Sequence, residues 1–362
     1  MRVIVSGGGS GGHIYPALAL IEYIRRIEPD AEFLYVGMKT KMEGKIVEQA
    51  GIPFEHIAVK GLRGKFTFQN VQAVSLLGAG IVKARKIIKQ FKPDLVIGTG
   101  GYVSAPVVFA ASRMHIATAV FDADHSPGKA NSFLAKYADR VFVSYPEAVE
   151  KFPHPHRVVV SGNPRGTSAA YYAQKHPKSA HHRKHITVLG GSLGAQRLNE
   201  AMIDLLKVAQ TYIYDFTFVT GEQYYQEVFA ALPEASHKAE ILPYTDDTLG
   251  LINNSDLVVS RSGATTLAEI AALHTPAILI PSPNVTNGEQ LANAKVFEAK
   301  GAAILLADED LSADTLWQAI SKVLDHNEQS IMMTSSMAEM AQPDAAEIIY
   351  QTMKKVVASK RK

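Results

Sequence analysis

The chain has 362 residues, of which 47% are hydrophobic and 20% charged, and its formal net charge is +2. This length suggests two domains, and the apolar share excludes a mostly disordered chain. The absence of cysteine excludes disulfides, thiolate metal sites and a cysteine nucleophile. The near balance of charge favours no particular partner, so any basic surface must be local.

Short β-branched runs alternate with helical patterns, which predicts an α/β protein with parallel sheets covered on both faces. In chain order, the first six predicted strands are Val3–Ser6, Phe33–Gly37, Asp94–Gly98, Thr118–Phe121, Arg140–Val143 and Val158–Ser161. The next six are Ile186–Leu189, Phe216–Thr220, Ile241–Tyr244, Leu257–Ser260, Ala277–Pro281 and Ala303–Ala307. Between the strands, segments such as Pro16–Arg26 and Gln196–Gln210 repeat apolar residues at helical spacing and are predicted helices.

Both series of strands begin with a strand, a glycine-rich turn and a helix, at Val5–Ile24 and Val188–Leu206. This repetition predicts two Rossmann-like, doubly wound parallel-sheet domains that face a cleft, with ligands at the carboxyl ends of the strands. The predicted boundaries are a first domain over 1–163, a linker over 164–185, a second domain over 186–339 and a C-terminal helix over 340–362 that packs back on the first domain.

The first glycine turn, Gly7–Gly12, follows a strand and precedes a helix. Its G-x-G-x-x-G spacing is typical of turns that bind a diphosphate at a helix N-terminus. A nicotinamide dehydrogenase also needs an acid at the end of the second strand, where this chain reads Gly37–Lys39. That function is therefore disfavoured, while a purely structural turn remains an alternative. His13 ends the turn and is suited to take a proton from a hydroxyl, with a purely local hydrogen bond as the alternative.

Two further turns suit a nucleotide. Gly190–Ala195 offers N–H groups and a serine hydroxyl to a phosphate. At Ser260–Glu269 a turn of small residues starts a helix, and Glu269 is expected to accept both hydroxyls of a ribose. The alternative at this position is a capping box formed by Thr266 and Glu269 without any ligand.

Asp122–Asp124 has the Asp-x-Asp pattern of some divalent-cation sites, a pattern that is frequent by chance.

Lys60–Lys92 holds eight basic residues and no acid, together with several apolar residues. Such a segment predicts contact with an anionic membrane surface, and the solvated face of an ordinary helix is the alternative. Nucleic acid is disfavoured because no binding module accompanies the basic residues. The uncharged apolar run Val71–Val82 is too short to span a bilayer, so we expect peripheral contact.

Six segments stand in a fixed order along the chain, namely GGGSGGHIYPALAL, GTGGYVSAPVVFAA, SGNPR, GGSLGAQRLN, SRSGATTLAEIAAL and the Gln290-x-x-Asn293-Ala294 segment. Together they resemble the lipid I N-acetylglucosaminyltransferases of bacterial peptidoglycan synthesis, the MurG-like members of glycosyltransferase family 28, over essentially the whole chain. The resemblance implies the GT-B fold and no metal or other cofactor. It also implies a peripheral protein on the cytoplasmic side of the cell membrane, with other cell-wall assembly proteins as candidate partners.

The reaction that the resemblance implies moves N-acetylglucosamine from UDP-N-acetylglucosamine to the 4-hydroxyl of the muramyl pentapeptide on undecaprenyl diphosphate (lipid I), with inversion. His13 is then the base. The expected donor contacts are Ser10, Gly11, Gly12, Asp124 and Gln290 at the sugar, Arg165 and Ser192 at the diphosphate, Thr245 at the uracil, Ala264, Thr265, Thr266 and Leu267 at phosphate and base, and Glu269 at the ribose. The expected membrane-facing residues are Lys65, Phe66, Phe68, Leu76, Leu77, Lys83, Arg85 and Lys86.

The chain departs from the family pattern at Phe121–Asp124, where many members read His-Glu-Gln-Asn. Asp124 stands where an asparagine is expected to touch the donor sugar. This departure leaves two alternatives: a sugar-nucleotide-binding protein that has lost transfer, and a GT-B transferase for a different lipid acceptor.

Overall fold

The computed structural model describes residues 1–38, 42–61, 68–179, 182–191, 194–208, 213–232, 239–285 and 288–361, and for 68–71 it describes the backbone only. The chain divides into two compact units. The first contains Met1–Ser168 together with Pro343–Lys362, and the second contains Ala169–Gln342. Each unit is built on one parallel sheet with helices between the strands, as the alternating patterns predict.

The sheet of the first unit has seven parallel strands in the order β3-β2-β1-β4-β5-β6-β7. Its strands are β1 (Arg2–Gly7), β2 (Glu32–Gly37), β3 (Phe54–His56), β4 (Leu95–Gly100), β5 (Ala117–Asp122), β6 (Arg140–Val143) and β7 (Val158–Val160). The helices that follow them are α1 (Gly11–Ile27), α2 (Met42–Gln49), α3 (Phe68–Phe91), α4 (Ser104–Arg113), α5 (Lys129–Leu134) and α6 (Pro164–Lys175), with short 3-10 helices at Pro146–Lys151 and Pro155–Arg157.

The sheet of the second unit has six parallel strands in the order β10-β9-β8-β11-β12-β13. Its strands are β8 (His185–Leu189), β9 (Asp215–Val219), β10 (Ala239–Leu242), β11 (Leu257–Ser260), β12 (Ala277–Leu279) and β13 (Ala303–Leu305). Its helices are α7 (Gln196–Leu206), α8 (Tyr225–Ala231), α9 (Thr248–Asn253), α10 (Ala264–Ala272), α11 (Glu289–Ala299), α12 (Ala313–Leu324) and α13 (Asn327–Met340), with a 3-10 turn at Asp308–Asp310.

The central strands are continuous apolar runs because helices cover both faces of each sheet. Val3, Ile4 and Val5 of β1 are all 0% exposed, as are Val258 and Val259 of β11. All twelve predicted strands are present, with ends that differ by at most two residues. The strand that the sequence did not predict is β3, whose three residues include two exposed polar ones and therefore carry no apolar pattern.

The predicted linker over 164–185 is irregular only after Lys175, in the part that the structure describes, and its last residue, His185, begins β8. Its first twelve residues form α6, and the boundary between the two units falls inside this helix, after Ser168. The prediction followed the low apolar content of the segment. Helical structure arises here because small residues such as Ala169 and Ala170 pack against Leu249 and Ala272 in the second unit.

The last helix, α14 (Ala345–Lys360), belongs to the first unit. Its Tyr350 hydroxyl donates to Glu28 Oε1 at 2.6 Å, and the Tyr350 ring lies edge-on to Tyr23 of α1. Near its end, Lys360 bonds to Asp139 Oδ2 at 2.7 Å. These contacts return the end of the chain to the helical layer on the first sheet.

The strand orders indicate where ligands are expected to bind. In each sheet the winding direction reverses between two neighbouring strands, β1 and β4 in the first unit and β8 and β11 in the second. Loops leave such a pair toward opposite faces, which opens a crevice at the carboxyl ends of the two strands. Both of the first two glycine turns begin at such a strand end, after Gly7 and after Leu189.

Candidate functional site

In the first unit, two glycine segments meet at the carboxyl ends of β1 and β4. Gly100 and Gly101 have φ of +113° and +77°. A Cβ at Gly101 would lie 2.2 Å from the Gly8 carbonyl oxygen, and one at Gly100 would lie 2.4 Å from His13 Cδ2. Only residues without a side chain allow this approach. The His13 ring therefore packs directly against the backbone of Gly100.

The hydrogen bonds of His13 define its tautomer. Nδ1 lies 2.9 Å from the Gly8 carbonyl oxygen and 3.2 Å from Ser10 Oγ. Because a carbonyl only accepts, Nδ1 must carry the proton, and Nε2 is then the bare nitrogen. Thr99 Oγ1 donates to the His13 carbonyl at 2.7 Å and holds the backbone of the same residue. The ring is half-buried. The arrangement leaves Nε2 as the ring nitrogen that can accept a proton.

The other predicted residues of this turn lie at the start of α1. Ser10 is the N-cap residue in extended backbone and makes no side-chain cap bond. Ser10 and Gly12 are exposed and Gly11 is half-buried. The structure therefore brings all three beside His13, at a helix N-terminus where backbone N–H groups accumulate.

Asp122, the last residue of β5, is a buried carboxyl group that organises the next loop. Its Oδ2 accepts from the Gly128 N–H at 2.9 Å and from Asn131 Nδ2 at 3.0 Å, and its Oδ1 accepts from the Asp124 N–H at 3.3 Å. Burial raises its pKa from 3.8 to about 6, although these donors lower it. Asp124 itself is half-buried. Among the described residues no group of three His, Asp or Glu side chains is placed to hold a metal ion.

Arg165 is the second residue of α6 and lies in the first unit. Its N–H donates to Asn163 Oδ1 at 3.0 Å, and its guanidinium lies 5.5 Å from the centre of the Tyr15 ring. Tyr15 is the fifth residue of α1 and follows His13 by two positions. The structure thus brings Arg165 to the helix that carries the glycine turn.

In the second unit, the turn after β8 is described at both ends. Gly191 and Gly194 have φ of +83° and +75°, and a Cβ at Gly194 would lie 2.6 Å from the Thr220 carbonyl oxygen. Gly194 therefore approaches the Thr220 backbone more closely than a residue with a side chain could. Ser192, which the sequence assigns to the diphosphate, lies outside the described residues.

The turn after β11 leads into α10, whose N-cap is Gly263. The capping box proposed for Thr266 and Glu269 is therefore wrong, because Thr266 lies within the helix and not at its cap. Thr265 is buried and Thr266 half-buried, while Leu267 is completely buried and its N–H donates to the Gly263 carbonyl at 3.0 Å.

The remaining residues of α10 also differ in exposure. Ala264 is 6% exposed and Glu269 is 4% exposed. Glu269 is the sixth residue of the helix, in its second turn. Leu267 and Glu269 thus lie below the surface of the turn, whereas Thr266 reaches it.

Gln290 lies at the start of α11 and is tied to the turn before α10. Its Oε1 accepts from the Ser282 N–H at 2.8 Å, and its carbonyl accepts from Ser262 Oγ at 2.8 Å. Asn293 Nδ2 donates to the Ser262 carbonyl at 3.3 Å. These bonds bring Gln290 and the predicted phosphate turn together in one place. Thr245 lies elsewhere in the second unit, before α9, where its hydroxyl accepts from the Asp247 N–H at 3.0 Å.

The sequence gives no indication of the structural role of Arg261, the first residue after β11. Its Nη1 donates to the Ile280 carbonyl at 3.1 Å and pairs with Asp308 Oδ1, and both side chains are largely buried. The arginine is therefore used to hold the ends of β11 and β12. Nor does the sequence indicate the role of Glu43, a carboxyl group that is 0% exposed under the first glycine turn. Asp308 is 47 residues from Arg261 and Gly9 is 34 residues from Glu43, so no local pattern reveals the Arg261–Asp308 pair or the Gly9–Glu43 bond.

The predicted membrane face lies on α3. Arg85 and Lys86 are exposed, while Lys83, Leu76 and Leu77 are half-buried. The helix α3 packs on α4, and among the large apolar side chains that the structure describes on α3 the most exposed are Val74 and Val82, at 59% and 68%. Lys65 and Phe66 lie outside the described residues, and of Phe68 only the backbone is described. No helix in the described ranges combines the length and the apolar character needed to cross a bilayer.

Comparison with known proteins adds independent information. The model of the glycosyltransferase family 28 N-terminal domain matches residues 3–143, and that of the C-terminal domain matches residues 185–349. A Bacillus cereus protein named UDP-N-acetylglucosamine–N-acetylmuramyl-(pentapeptide) pyrophosphoryl-undecaprenol N-acetylglucosamine transferase 1 is 40% identical over 363 residues, which cover 99% of this chain and 100% of that protein. A Lactococcus lactis transferase of the same name, without the number, is 40% identical and covers 98% and 99%.

Two solved structures resemble this chain over nearly its whole length. The crystal structure of Acinetobacter baumannii MurG superposes with a TM-score of 0.76 at 26% identity, covering 98% of this chain and 99% of that one. The S. aureus MnaA–UDP structure has a TM-score of 0.72 at 16% identity, covering 99% and 97%, which shows a shared fold. With both family domains matched in order and full-length relatives at 40% identity, this chain belongs to glycosyltransferase family 28, among the MurG-like transferases.

Proposed function

We propose that this protein transfers N-acetylglucosamine from UDP-N-acetylglucosamine to the 4-hydroxyl of the muramyl pentapeptide on undecaprenyl diphosphate, which converts lipid I to lipid II. The observation that carries the proposal is the 40% identity, over the full chain, with transferases named for this reaction. The nicotinamide dehydrogenase alternative is set aside, because both family models are those of glycosyltransferases.

In this proposal His13 is the general base. Its Nδ1 proton is engaged by the Gly8 carbonyl at 2.9 Å, so Nε2 takes the proton of the acceptor hydroxyl. The acceptor oxygen attacks C1 of the donor sugar from the face opposite the nucleotide. The bond between C1 and the diphosphate oxygen breaks, its electron pair leaves with UDP, and the new link is β-1,4. The Gly8 carbonyl stabilises the imidazolium that forms.

The departing UDP gains negative charge, which the donor site must stabilise. The start of α10, with Ala264, Thr265 and Thr266, supplies N–H groups and hydroxyls, and Arg165 supplies positive charge. Ser10, Gly11, Gly12, Asp124 and Gln290 are assigned to the donor sugar, Ser192 to the diphosphate, Thr245 and Leu267 to the base and phosphate, and Glu269 to the ribose. No protein-bound metal is required in this scheme.

We further propose that the protein is peripheral on the cytoplasmic face of an anionic membrane, with α3 toward the lipid. The exposed Arg85 and Lys86 attract lipid phosphates, and the exposed Val74 and Val82 offer apolar surface. This position suits an acceptor whose polyprenyl chain stays in the bilayer.

The deciding experiment measures UDP release from UDP-N-acetylglucosamine in EDTA, with and without a soluble lipid I analogue. We expect release that depends on the acceptor, and we expect His13→Ala to lower kcat by about 10²–10⁴-fold. Donor binding without release on any lipid acceptor tested would support a binding protein that has lost transfer. Release on another lipid acceptor only would reassign the substrate.

A further inference from the structure

A buried carboxyl group lies directly beneath the first glycine turn. Glu43 is the second residue of α2 and is 0% exposed. Its Oε1 accepts from the Met38 N–H at 3.0 Å, and its Oε2 accepts from the Gly9 N–H at 3.3 Å. One side chain therefore joins the end of β2 to the turn that carries His13.

The glycines around Glu43 are shaped to it. A Cβ at Gly8 would lie 2.3 Å from Glu43 Oε1, and a Cβ at Gly37 would lie 2.9 Å from Glu43 Cγ. A side chain at Gly8 would thus push the carboxylate out of its position. The glycine at position 8 therefore leaves room for the Glu43 carboxylate, in addition to any access that it gives to a ligand.

The contact reaches His13 through a single peptide group. The Gly9 N–H that donates to Glu43 and the Gly8 carbonyl that accepts from His13 Nδ1 belong to the same peptide bond. Because a peptide is planar and trans, its N–H and C=O point in opposite directions. Fixing the N–H on the carboxylate fixes the C=O on the histidine, and hydrogen bonds in such a chain polarise one another.

We propose that Glu43 is a positioning residue that acts through the Gly8–Gly9 peptide to hold His13 with its proton on Nδ1 and with Nε2 bare. The inference rests on the proposed function where it treats His13 as the base.

The bond from the Gly9 N–H to Glu43 has a second consequence. Because this N–H is already engaged and a carboxylate lies below it, binding of a diphosphate at this point of the turn is disfavoured. Tyr35, whose hydroxyl donates to the Gly7 carbonyl at 3.0 Å, is the neighbouring titratable group, and burial and then Glu43 raise its pKa.

The test uses the full-length protein and the variant Glu43→Gln. A glutamine keeps the size of the side chain but places an amide NH2, which cannot accept, opposite one of the two N–H groups that the two carboxylate oxygens now serve. The matched control is Glu48→Gln, which removes an exposed carboxylate from the same helix. The readouts are kcat with a soluble acceptor, the Kd for UDP, and the 15N shifts of the His13 ring, which distinguish a protonated from a bare ring nitrogen. His13→Asn identifies the signals of His13.

In the wild type and in Glu48→Gln we expect His13 to carry its proton on Nδ1. In Glu43→Gln we expect a mixture of tautomers and a kcat lower by about 10–100-fold, part of what a general base contributes, with the Kd for UDP within about twofold. If Glu43→Gln does not fold, Gly8→Ala carries the same test, because it displaces the carboxylate while retaining it.

A wild-type His13 with its proton on Nε2 would overturn the proposal. So would a Glu43→Gln protein with unchanged ring shifts, whether or not kcat falls. A change of tautomer with unaltered kcat would leave the link between Glu43 and His13 in place and remove His13 as the base. The ring shifts do not depend on turnover, so a wild-type protein without transferase activity would sink the proposed function alone.

Discussion

At the scale of single residues, Asp122 shows how burial changes a carboxyl group in the loop that the sequence marks as unusual. It is 4% exposed, and burial raises its pKa to about 6. Its two oxygens nevertheless accept three N–H bonds from the loop and from α5. The first carboxylate of the Asp-x-Asp pattern, that of Asp122, therefore serves to hold the loop that carries Asp124.

The raised pKa predicts a pH-dependent stability. Because the folded state holds the Asp122 proton more tightly than the unfolded state, this contribution is complete below about pH 4 and is lost as the pH rises through about 6. The free energy of unfolding should fall by up to about 3 kcal/mol over this window. Urea unfolding from pH 4 to 7 measures it. Asp122→Asn should remove the part of the slope that Asp122 causes, whereas Asp30→Asn, at an exposed position, should keep it; equal slopes in wild type and Asp122→Asn would contradict the assignment.

At the scale of elements, α10 carries the predicted ribose contact. Its cap is Gly263, so Glu269 has no capping role to lose. We expect Glu269→Ala to weaken UDP binding by about tenfold or more, because hydrogen bonds to a charged group contribute about 1.5–3 kcal/mol. The control ligand is the 2′,3′-dideoxy analogue of UDP, whose binding should be the same in both proteins.

Titration calorimetry with both ligands separates a contact from a structural effect of this buried residue. Equal weakening of UDP and of its dideoxy analogue would mean that Glu269 supports α10 and does not touch the ribose. Glu298→Ala, which removes an exposed carboxylate from α11, should change neither affinity.

The helix α3 carries the membrane prediction. Replacing the exposed Arg85 and Lys86 by serine should weaken binding to anionic vesicles by about 30-fold, since each basic residue near the surface contributes about 1 kcal/mol. Turnover of a soluble acceptor should not change. Vesicle sedimentation measures the binding, and Lys300→Ser with Lys322→Ser removes two exposed charges from the second unit as the control. Unaltered vesicle binding in the α3 variant would remove the proposed membrane face.

At the scale of the whole molecule, the chain ends in the unit where it begins. Met353 of α14 is 0% exposed, and Met353→Ala should destabilise the first unit by about 2–5 kcal/mol because it leaves a cavity. Hydrogen exchange resolves the effect by unit: amides of β1 and β4 should exchange faster, while those of β8 and β11 should not change. Met332→Ala, at a position that is 65% exposed, is the control. Equal acceleration in both sheets would mean that the two units unfold together.

The sequence alone was enough to predict every described strand except β3, the two glycine turns and the family. Central parallel strands are buried on both faces, so they appear as continuous apolar runs, and glycine turns are contiguous in the chain. The tautomer of His13, the cap of α10, the ion pair of Arg261 and the position of Glu43 became known only from the folded structure. Gly9 and Glu43 are 34 residues apart, and Arg261 and Asp308 are 47 apart. Such contacts form where separate strand ends meet, and no local spacing of residue types encodes which side chain arrives there.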